Sequence, residues 1–294
     1  MAEGAEAVKV GLVGAGPWAH VRHAPMLAAG PHLTLAGVWA RRTEAAAELA
    51  TKHDALVFED FDALVQASDA IAFSVPPQVQ VELAVRAAAA GKALLLEKPL
   101  GLDLAGAERI AAAVAEHGVP SQMMFTWRYA SSGRQVLEHA QSSRVLGARG
   151  AFILGSLLGG PFATPWRVEQ GGYLDLVPHL FDYLDAALGP ISRIQGHGDP
   201  RGWTGLLLEH EGGAFSEVSI SGVVPVQPMV AGVDIYTESG SLSFDANDSN
   251  LPENYAVIAE EFARTARGEQ HPLDAQRGLY VQRLVESASE LLRR

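Results

Sequence analysis

An apolar run, Val8–Val13, leads without a break into Gly14-Ala-Gly16-Pro17-Trp18-Ala19, and a helix-compatible stretch follows to Leu27. A strand, a G-x-G-x-x-A turn and a helix in immediate succession constrain the fold more than any other part of the chain. A glycine pattern alone is weak; between a buried strand and a helix it has the context it requires. Gly14 permits the tight turn, Gly16 lets the backbone approach a pyrophosphate, and Ala19 lets helix and strand pack closely. Free N–H groups and the dipole at the helix start favour an anion over that turn. The competing reading is a glycine-rich turn with no ligand.

Strand and helix patterns alternate from there. Leu33–Trp39 reads as a strand, 43–53 as a helix, 55–58 as a short strand and 62–66 as a short helix. Residues 70–75 form a further apolar strand that stops at Pro76-Pro77, and an alanine-rich helix over 80–90 ends at Gly91. A strand over 92–96, a helix over 104–116 and a strand over 121–125 complete the series. Such a βαβ succession predicts a Rossmann-type, doubly wound parallel sheet with right-handed crossovers over residues 1–125.

After residue 125 the texture changes. Helix 134–140 and strand 148–154 lead into a glycine-rich loop, and a helix is predicted over 172–188. Strand-like runs at 191–195, 205–211, 214–221, 230–237 and 241–244 are separated by turn signals such as Gly212-Gly213 and Ser239-Gly240. Those turns suit hairpins, so residues 126–294 are expected to be an α+β domain with a mostly antiparallel sheet, closed by amphipathic helices at 254–267 and 278–294. The fold class expected for the whole chain is α/β followed by α+β.

Composition removes several classes of function. A formal net charge of −12 argues against a nucleic-acid surface and an anionic membrane partner, though a local nest with one or two arginines still accommodates an anionic small ligand. The absence of cysteine excludes disulfides, thiolate nucleophiles and cysteine metal sites. The acidic start of the chain lacks the basic and apolar segments of an export signal, and no apolar run is long enough to span a membrane. The cytoplasm is the expected compartment.

Two stretches bear on a dinucleotide. The second strand ends at Ala40-Arg41-Arg42, where an NAD-specific site usually carries an acid for the ribose 2′-OH. An acid would repel a 2′-phosphate and a guanidinium can grip it, so NADP(H) is expected in preference to NAD(H). Alternatively the two arginines decorate a helix start capped by Thr43. Further on, the apolar strand 94–96 breaks off in Glu97-Lys98-Pro99. Open α/β sheets bind ligands beyond the carboxyl ends of their strands, and lysine is scarce here, occurring only at 9, 52, 92 and 98. Glu97 and Lys98 are thus either a solvated ion pair or the place where chemistry happens.

Asp175 and His179 are spaced i, i+4, which places them one turn apart on a helix face. A carboxylate there can orient an imidazole and stabilise its charged form, as a general acid/base needs. A surface pair of no consequence and a metal site remain alternatives, although no third ligand completes a metal set.

Taken together, the glycine motif, Ser74-Val-Pro76-Pro77, Glu97-Lys98-Pro99, Trp166-Arg167 and Gly171-Gly172-Tyr-Leu-Asp175-x-x-x-His179 resemble the Gfo/Idh/MocA oxidoreductase family. The resemblance runs through Phe262-Ala-Arg-x-x-x-x-Gly268 and His271-Pro272. It implies a dinucleotide-binding domain followed by a larger open sheet that covers the active site and often builds dimers or tetramers. The cofactor would be held by Gly14, Gly16, Pro17 and Trp18 on the loop and by Ala40, Arg41 and Arg42 at the ribose. Ser74, Pro76, Glu97 and Lys98 would complete its site. Lys98 would reach the substrate oxygen, beside a Lys–Pro bond that is often cis. Asp175 and His179 would bind substrate hydroxyls and relay the proton. Family substrates are mostly sugars and cyclitols, oxidised or reduced at a secondary alcohol or ketone, and no metal is expected. Arg128, Trp166 and Arg167 are candidates for lining the cleft or, alternatively, for ion pairing and packing. One departure stands out: Val177-Pro178 precedes the histidine, and a proline there can shift a helix start. Two other readings stay open, a cofactor-binding sensor without chemistry and a reductase of an imine.

Overall fold

The structure is a computed structural model and describes residues 6–248 and 251–292. Part of the acidic start read for an export signal (1–5), and the last two residues of the C-terminal helix pattern, lie outside the described residues. The chain divides into two compact units, one running to Met124 and including Tyr255–Leu279, the other made of Phe125–Asn254 and the chain from Tyr280 onward.

The first unit is built on six strands, β1 (Val8–Val13), β2 (Leu33–Trp39), β3 (Leu56–Val57), β4 (Ala70–Phe73), β5 (Ala93–Leu96) and β6 (Ser121–Met123). All neighbouring pairs are parallel and the order is β3-β2-β1-β4-β5-β6. Every residue of β4 and β5 is buried, which is why these strands read as unbroken apolar runs. The winding reverses between β1 and β4, so the crevice for a ligand opens beyond their carboxyl ends, where Gly14 and Ser74 follow.

A π-helical turn, Ala19–His23, continues into α1 (Ala24–Ala28), and the crossovers use α2 (Thr43–Thr51), α3 (Phe61–Ala67), α4 (Pro77–Ala89) and α5 (Leu104–His117). Their ends follow local chemistry. Asp60 caps α3 by accepting from the backbone N–H groups of Asp62 and Ala63, and Asp103 caps α5 through Gly106 N–H at 2.8 Å. Helix α4 opens at Pro77, three residues before the predicted start, because proline suits the first helical turn. The edge strand β6 is satisfied within the unit, Met123 N–H donating to the Leu273 carbonyl at 2.7 Å.

In the second unit α6 (Ser131–Gln141) and α7 (Pro165–Leu188) accompany β7 (Val145–Ile153), β8 (Ile191–Gly198), β9 (Thr204–His210), β10 (Phe215–Ser221), β11 (Val230–Thr237) and β12 (Gly240–Asp245). The order is β12-β11-β7-β10-β9-β8. The hairpins β8–β9, β9–β10 and β11–β12 are antiparallel, and one pair, β7–β10, is parallel. Helix α7 covers one face of this sheet, with Leu180 and Leu184 over Gly150 of β7. On the opposite face Phe215, Gly147 and Tyr236 align across β10, β7 and β11, and both aromatic rings are exposed.

Two features of α7 decide where its side chains stand. Gly171 has φ +75° and ψ 178°, a conformation natural to glycine, and a Cβ there would run into the Pro200 carbonyl. The chain therefore kinks at Gly171. Pro178 lies beyond the kink, inside the helix, which continues through it to Leu188. The proline does not reset the helix start, and Asp175 and His179 keep their one-turn spacing. Among the described residues no helix is long and apolar enough to cross a membrane.

Candidate functional site

The candidate residues fall into two clusters, one in each unit. In the first, the glycine loop and the end of β5 are joined by one carboxylate. Glu97 is buried, and its Oε1 accepts from the Trp18 indole N–H at 2.7 Å and lies 2.7 Å from His23 Nε2. A carboxylate only accepts, so His23 carries its proton on Nε2. The other oxygen, Oε2, accepts from the backbone N–H of Lys98 at 3.1 Å. Gln80 of α4 holds the backbone on either side: it accepts from Glu97 N–H at 2.8 Å and donates to the carbonyls of Glu97 and Leu100 at 2.9 and 3.1 Å. The Lys98–Pro99 peptide is cis. The Glu97 carboxylate is thus held by donors 79 and 74 residues away in sequence, rather than being a solvated strand-end partner of Lys98.

The loop itself fits a dinucleotide. Gly14 has φ +114°, and a Cβ on it would collide with the Ser74 carbonyl. Around Gly16 the opposite holds: a Cβ would meet nothing within 4 Å, so this backbone presents an open face to a ligand. Ser74 Oγ is buried and has no hydrogen-bond partner among the described residues, which leaves a polar group to be satisfied next to the glycine turn. Ala40 follows β2, and Arg41 and Arg42 are exposed beside it. Among the described residues neither arginine makes an ion pair, and Thr43 is the first residue of α2 rather than its cap. Both guanidinium groups are available to a 2′-phosphate. Pro17 belongs to the loop and Pro76 caps α4 at its N-terminal end.

The second cluster is arranged by α7. Beyond the kink, Asp175 Oδ2 accepts from Arg167 Nε at 2.9 Å, and the Arg167 guanidinium lies 4.6 Å from the centroid of the Trp166 ring. His179 is buried, stacked on the Trp127 indole at 5.5 Å and 19°, with Phe152 at 5.9 Å. Trp127 is braced in turn by Phe244 and Tyr183. Arg128 makes two contacts to the buried Asp182 carboxylate, at 3.1 and 3.2 Å, one turn beyond His179. Arg128 therefore pairs inside its own unit. Burial pushes the Tyr183 phenol up from its ordinary value, against the opposing charge of Arg128. Among the described residues no group of three or more potential ligands is placed to hold a metal ion.

Several residues of these clusters were not singled out from the sequence: His23, Gln80 and Trp127. For His23 and Gln80 a signal existed. Each interrupts the buried stripe of its helix, His23 between Ala19 and Met26, and Gln80 between Pro77 and Ala84. A polar side chain on a core face needs a partner.

Comparison with known proteins bears on the same regions. Residues 8–125 match the family described as an oxidoreductase family with an NAD-binding Rossmann fold, Gfo/Idh/MocA. The likeness to that family is carried by these residues, which make up less than half of the chain. Among curated proteins, the dTDP-3,4-didehydro-2,6-dideoxy-alpha-D-glucose 3-reductase of Actinomadura kijaniata is 30% identical over 136 residues. That match takes in 46% of this chain and spans only 41% of that protein's length. Among solved structures, GenD2 from gentamicin A biosynthesis, in complex with NAD, superposes with a TM-score of 0.86 at 22% identity, covering 98% of this chain and 95% of that one. UDP-N-acetylglucosamine 3-dehydrogenase GnnA from Acidithiobacillus ferrooxidans gives 0.80 at 20% identity, covering 97% of each chain. At such identities the likeness is one of fold. On that fold the chain carries the Glu-Lys-Pro turn, with its cis Lys98–Pro99 peptide, and the helix that bears Asp175 and His179.

Proposed function

We propose that the chain is an oxidoreductase moving a hydride between a nicotinamide dinucleotide, NADP(H) in preference to NAD(H), and a secondary alcohol or ketone of a sugar, cyclitol or related polyhydroxylated molecule. The observation that carries this reading is the Glu97 carboxylate, which ties Trp18 of the dinucleotide loop to the backbone of Lys98. The relatives' names support the substrate class, two of them being a sugar reductase and a sugar-nucleotide dehydrogenase.

When bound, the nicotinamide supplies or accepts the hydride. Gly14, Gly16, Pro17, Trp18, Ser74 and Pro76 hold the dinucleotide near its pyrophosphate, with Glu97 beside Lys98 and with Ala40, Arg41 and Arg42 at the ribose. Negative charge grows on the carbonyl oxygen during reduction, and the Lys98 ammonium stabilises it as it forms. His179 delivers the proton in reduction and takes it in oxidation, since an imidazole titrates in the useful range. Asp175, one turn away and held by Arg167, favours the charged imidazole and binds a substrate hydroxyl. Trp166, Arg167 and Arg128 shape the surroundings of that hydroxyl. The protein also forms a homodimer or homotetramer through the open sheet face that carries Phe215 and Tyr236, where these two exposed aromatic side chains stand beside the row of Glu217, Arg149 and Asp234.

Equilibrium titration of the purified protein with NADPH and NADH tests the cofactor. NADPH should bind at least about tenfold tighter, one bidentate contact to a charged group being worth about 1.5–3 kcal/mol. Arg41→Ala and Arg42→Ala should erase the difference. A clear NADH preference sinks the arginine argument, and tight binding with no hydride transfer to any sugar sinks the enzyme.

A further inference from the structure

We propose that His23 and Trp18 are positioning residues for Lys98, acting through the Glu97 carboxylate they share. This rests on the reading of Lys98 as the group that polarises the substrate oxygen. Three N–H donors converge on one buried carboxylate: Trp18 and His23 on Oε1, the Lys98 backbone on Oε2. Nothing in the hydride chemistry uses His23. It is fully buried, its Nε2 serves Glu97, and its Nδ1 has no hydrogen-bond partner among the described residues. A buried imidazole that spends its one bond on a carboxylate is there to fix that carboxylate.

The consequence is mechanical. Two of the three donors stand on the glycine loop and the helical turn after it, and the third is the backbone of the lysine. Any movement of the loop relative to β5 must stretch a bond to Glu97. Arg22 adds a brace on the same turn, its guanidinium lying 5.1 Å from the Trp18 ring centroid and 5.8 Å from that of Tyr255 while it donates to the Tyr255 hydroxyl at 2.5 Å. The segment that cradles the dinucleotide therefore also sets the Lys98 turn. Removing one donor leaves the Lys98 fold in place and loosens its aim. A misplacement of about 1 Å is enough to cost roughly a hundredfold in rate.

The test uses the full chain as His23→Leu, His23→Gln and Trp18→Phe. The first readout needs no activity: competitive acetylation of the free protein with acetic anhydride, followed by peptide mass spectrometry, with Lys9 and Lys52 as internal controls. The Lys98 rate relative to those controls should change at least about threefold in His23→Leu and Trp18→Phe, and return toward the wild type in His23→Gln, whose amide can still donate. The second readout is steady-state kinetics with NADPH. His23→Leu should lower kcat about tenfold to a hundredfold while KM for NADPH stays within about threefold, and His23→Gln should recover most of the loss. Unchanged Lys98 labelling, or equal losses in the leucine and glutamine variants, overturns the proposal. A labelling change in a protein that reduces no sugar upholds the clamp and fells the functional reading. Normal turnover in all three variants does the reverse. If His23→Leu does not fold, Trp18→Phe, which replaces the indole and its N–H with a smaller aromatic ring at a half-buried position, decides the matter.

Discussion

The clusters around Glu97 and around His179 are built by opposite means. Glu97 and Lys98 are held by hydrogen bonds to residues that are distant in sequence, reaching 74 residues back to His23 and 79 to Trp18. Asp175 and His179 are held by the period of a single helix and by aromatic packing on Trp127 and Phe152. The first arrangement fixes a backbone turn and leaves its lysine to aim from it. The second fixes ring planes on a helix that has already turned at its Gly171 kink. A reaction that needs a stationary positive charge and a group that gains and loses a proton would draw on both kinds of support, because the two tasks tolerate different motions.

Deleting the two side chains proposed to act on the substrate should break the comparison most visibly. Lys98→Ala is expected to lower kcat about a thousandfold with the NADPH dissociation constant nearly unchanged, a loss at the upper end of those measured for single oxyanion-stabilising donors. His179→Gln should lower kcat about a hundredfold and flatten the pH dependence of the rate, as loss of a general acid/base does. Single-turnover kinetics alongside dinucleotide titration separates the two. If Lys98→Ala kept its turnover on the true substrate, the assignment of the oxygen to Lys98 would be wrong. If His179→Gln retained the wild-type pH profile, the proton would have another carrier.

The same contrast decides what the sequence could disclose. The i, i+4 spacing of Asp175 and His179 is a local property, so it was legible, and so were the strands: each run of buried apolar residues found its place within a few residues of its predicted bounds. The Glu-Lys-Pro turn was legible as a place, at a strand end. Its support was not, since no periodicity links Trp18, His23 and Gln80 to residue 97 across the strands and helices between them. Arg128 was legible as a candidate without its partner, because Asp182 lies 54 residues further on. The kink at Gly171 was hidden for another reason. Gly171-Gly172 reads as a helix start, yet α7 begins at Pro165, and only the close approach of the Pro200 carbonyl explains why a glycine stands there.

Two glycines, one in each cluster, sharpen the comparison further. Gly171→Ala puts a Cβ against backbone and forces a conformation that side chains rarely adopt, at a cost of about 1–3 kcal/mol or more in stability. The kink that brings Arg167 to Asp175 would relax with it. Gly16→Ala meets open space, so the stability should stay within about 0.5 kcal/mol of the wild type. Its effect should instead fall on ligand binding, where a methyl group blocks the approach of a pyrophosphate. Thermal melting and NADPH titration of both variants form a crossed test. A Gly16→Ala protein that binds NADPH as the wild type does would remove the pyrophosphate from that loop.

The smallest expected effect is a pH dependence confined to the second unit. His210 donates from Nδ1 to the Gly189 carbonyl at 2.7 Å, so its Nε2 is the acceptor for the Ser216 hydroxyl at 2.9 Å. Burial lowers its pKa below the ordinary histidine value, and the Gly189 carbonyl and the charge of Asp185 oppose that shift without cancelling it. The unfolded chain therefore takes up a proton at a higher pH than the folded one. In the window just below the ordinary value near 6.5, the unfolded state binds more protons, and stability falls as the pH falls. Above that value the contribution is fully present. His210→Gln removes the titrating group, so the melting temperatures of wild type and variant should differ most at pH 7.5 and converge toward pH 5. A gap that stayed constant across this range would mean that His210 remains neutral or charged throughout. A gap that widened in acid would reverse the sign of the argument and point to Asp185 as the stronger influence on the imidazole.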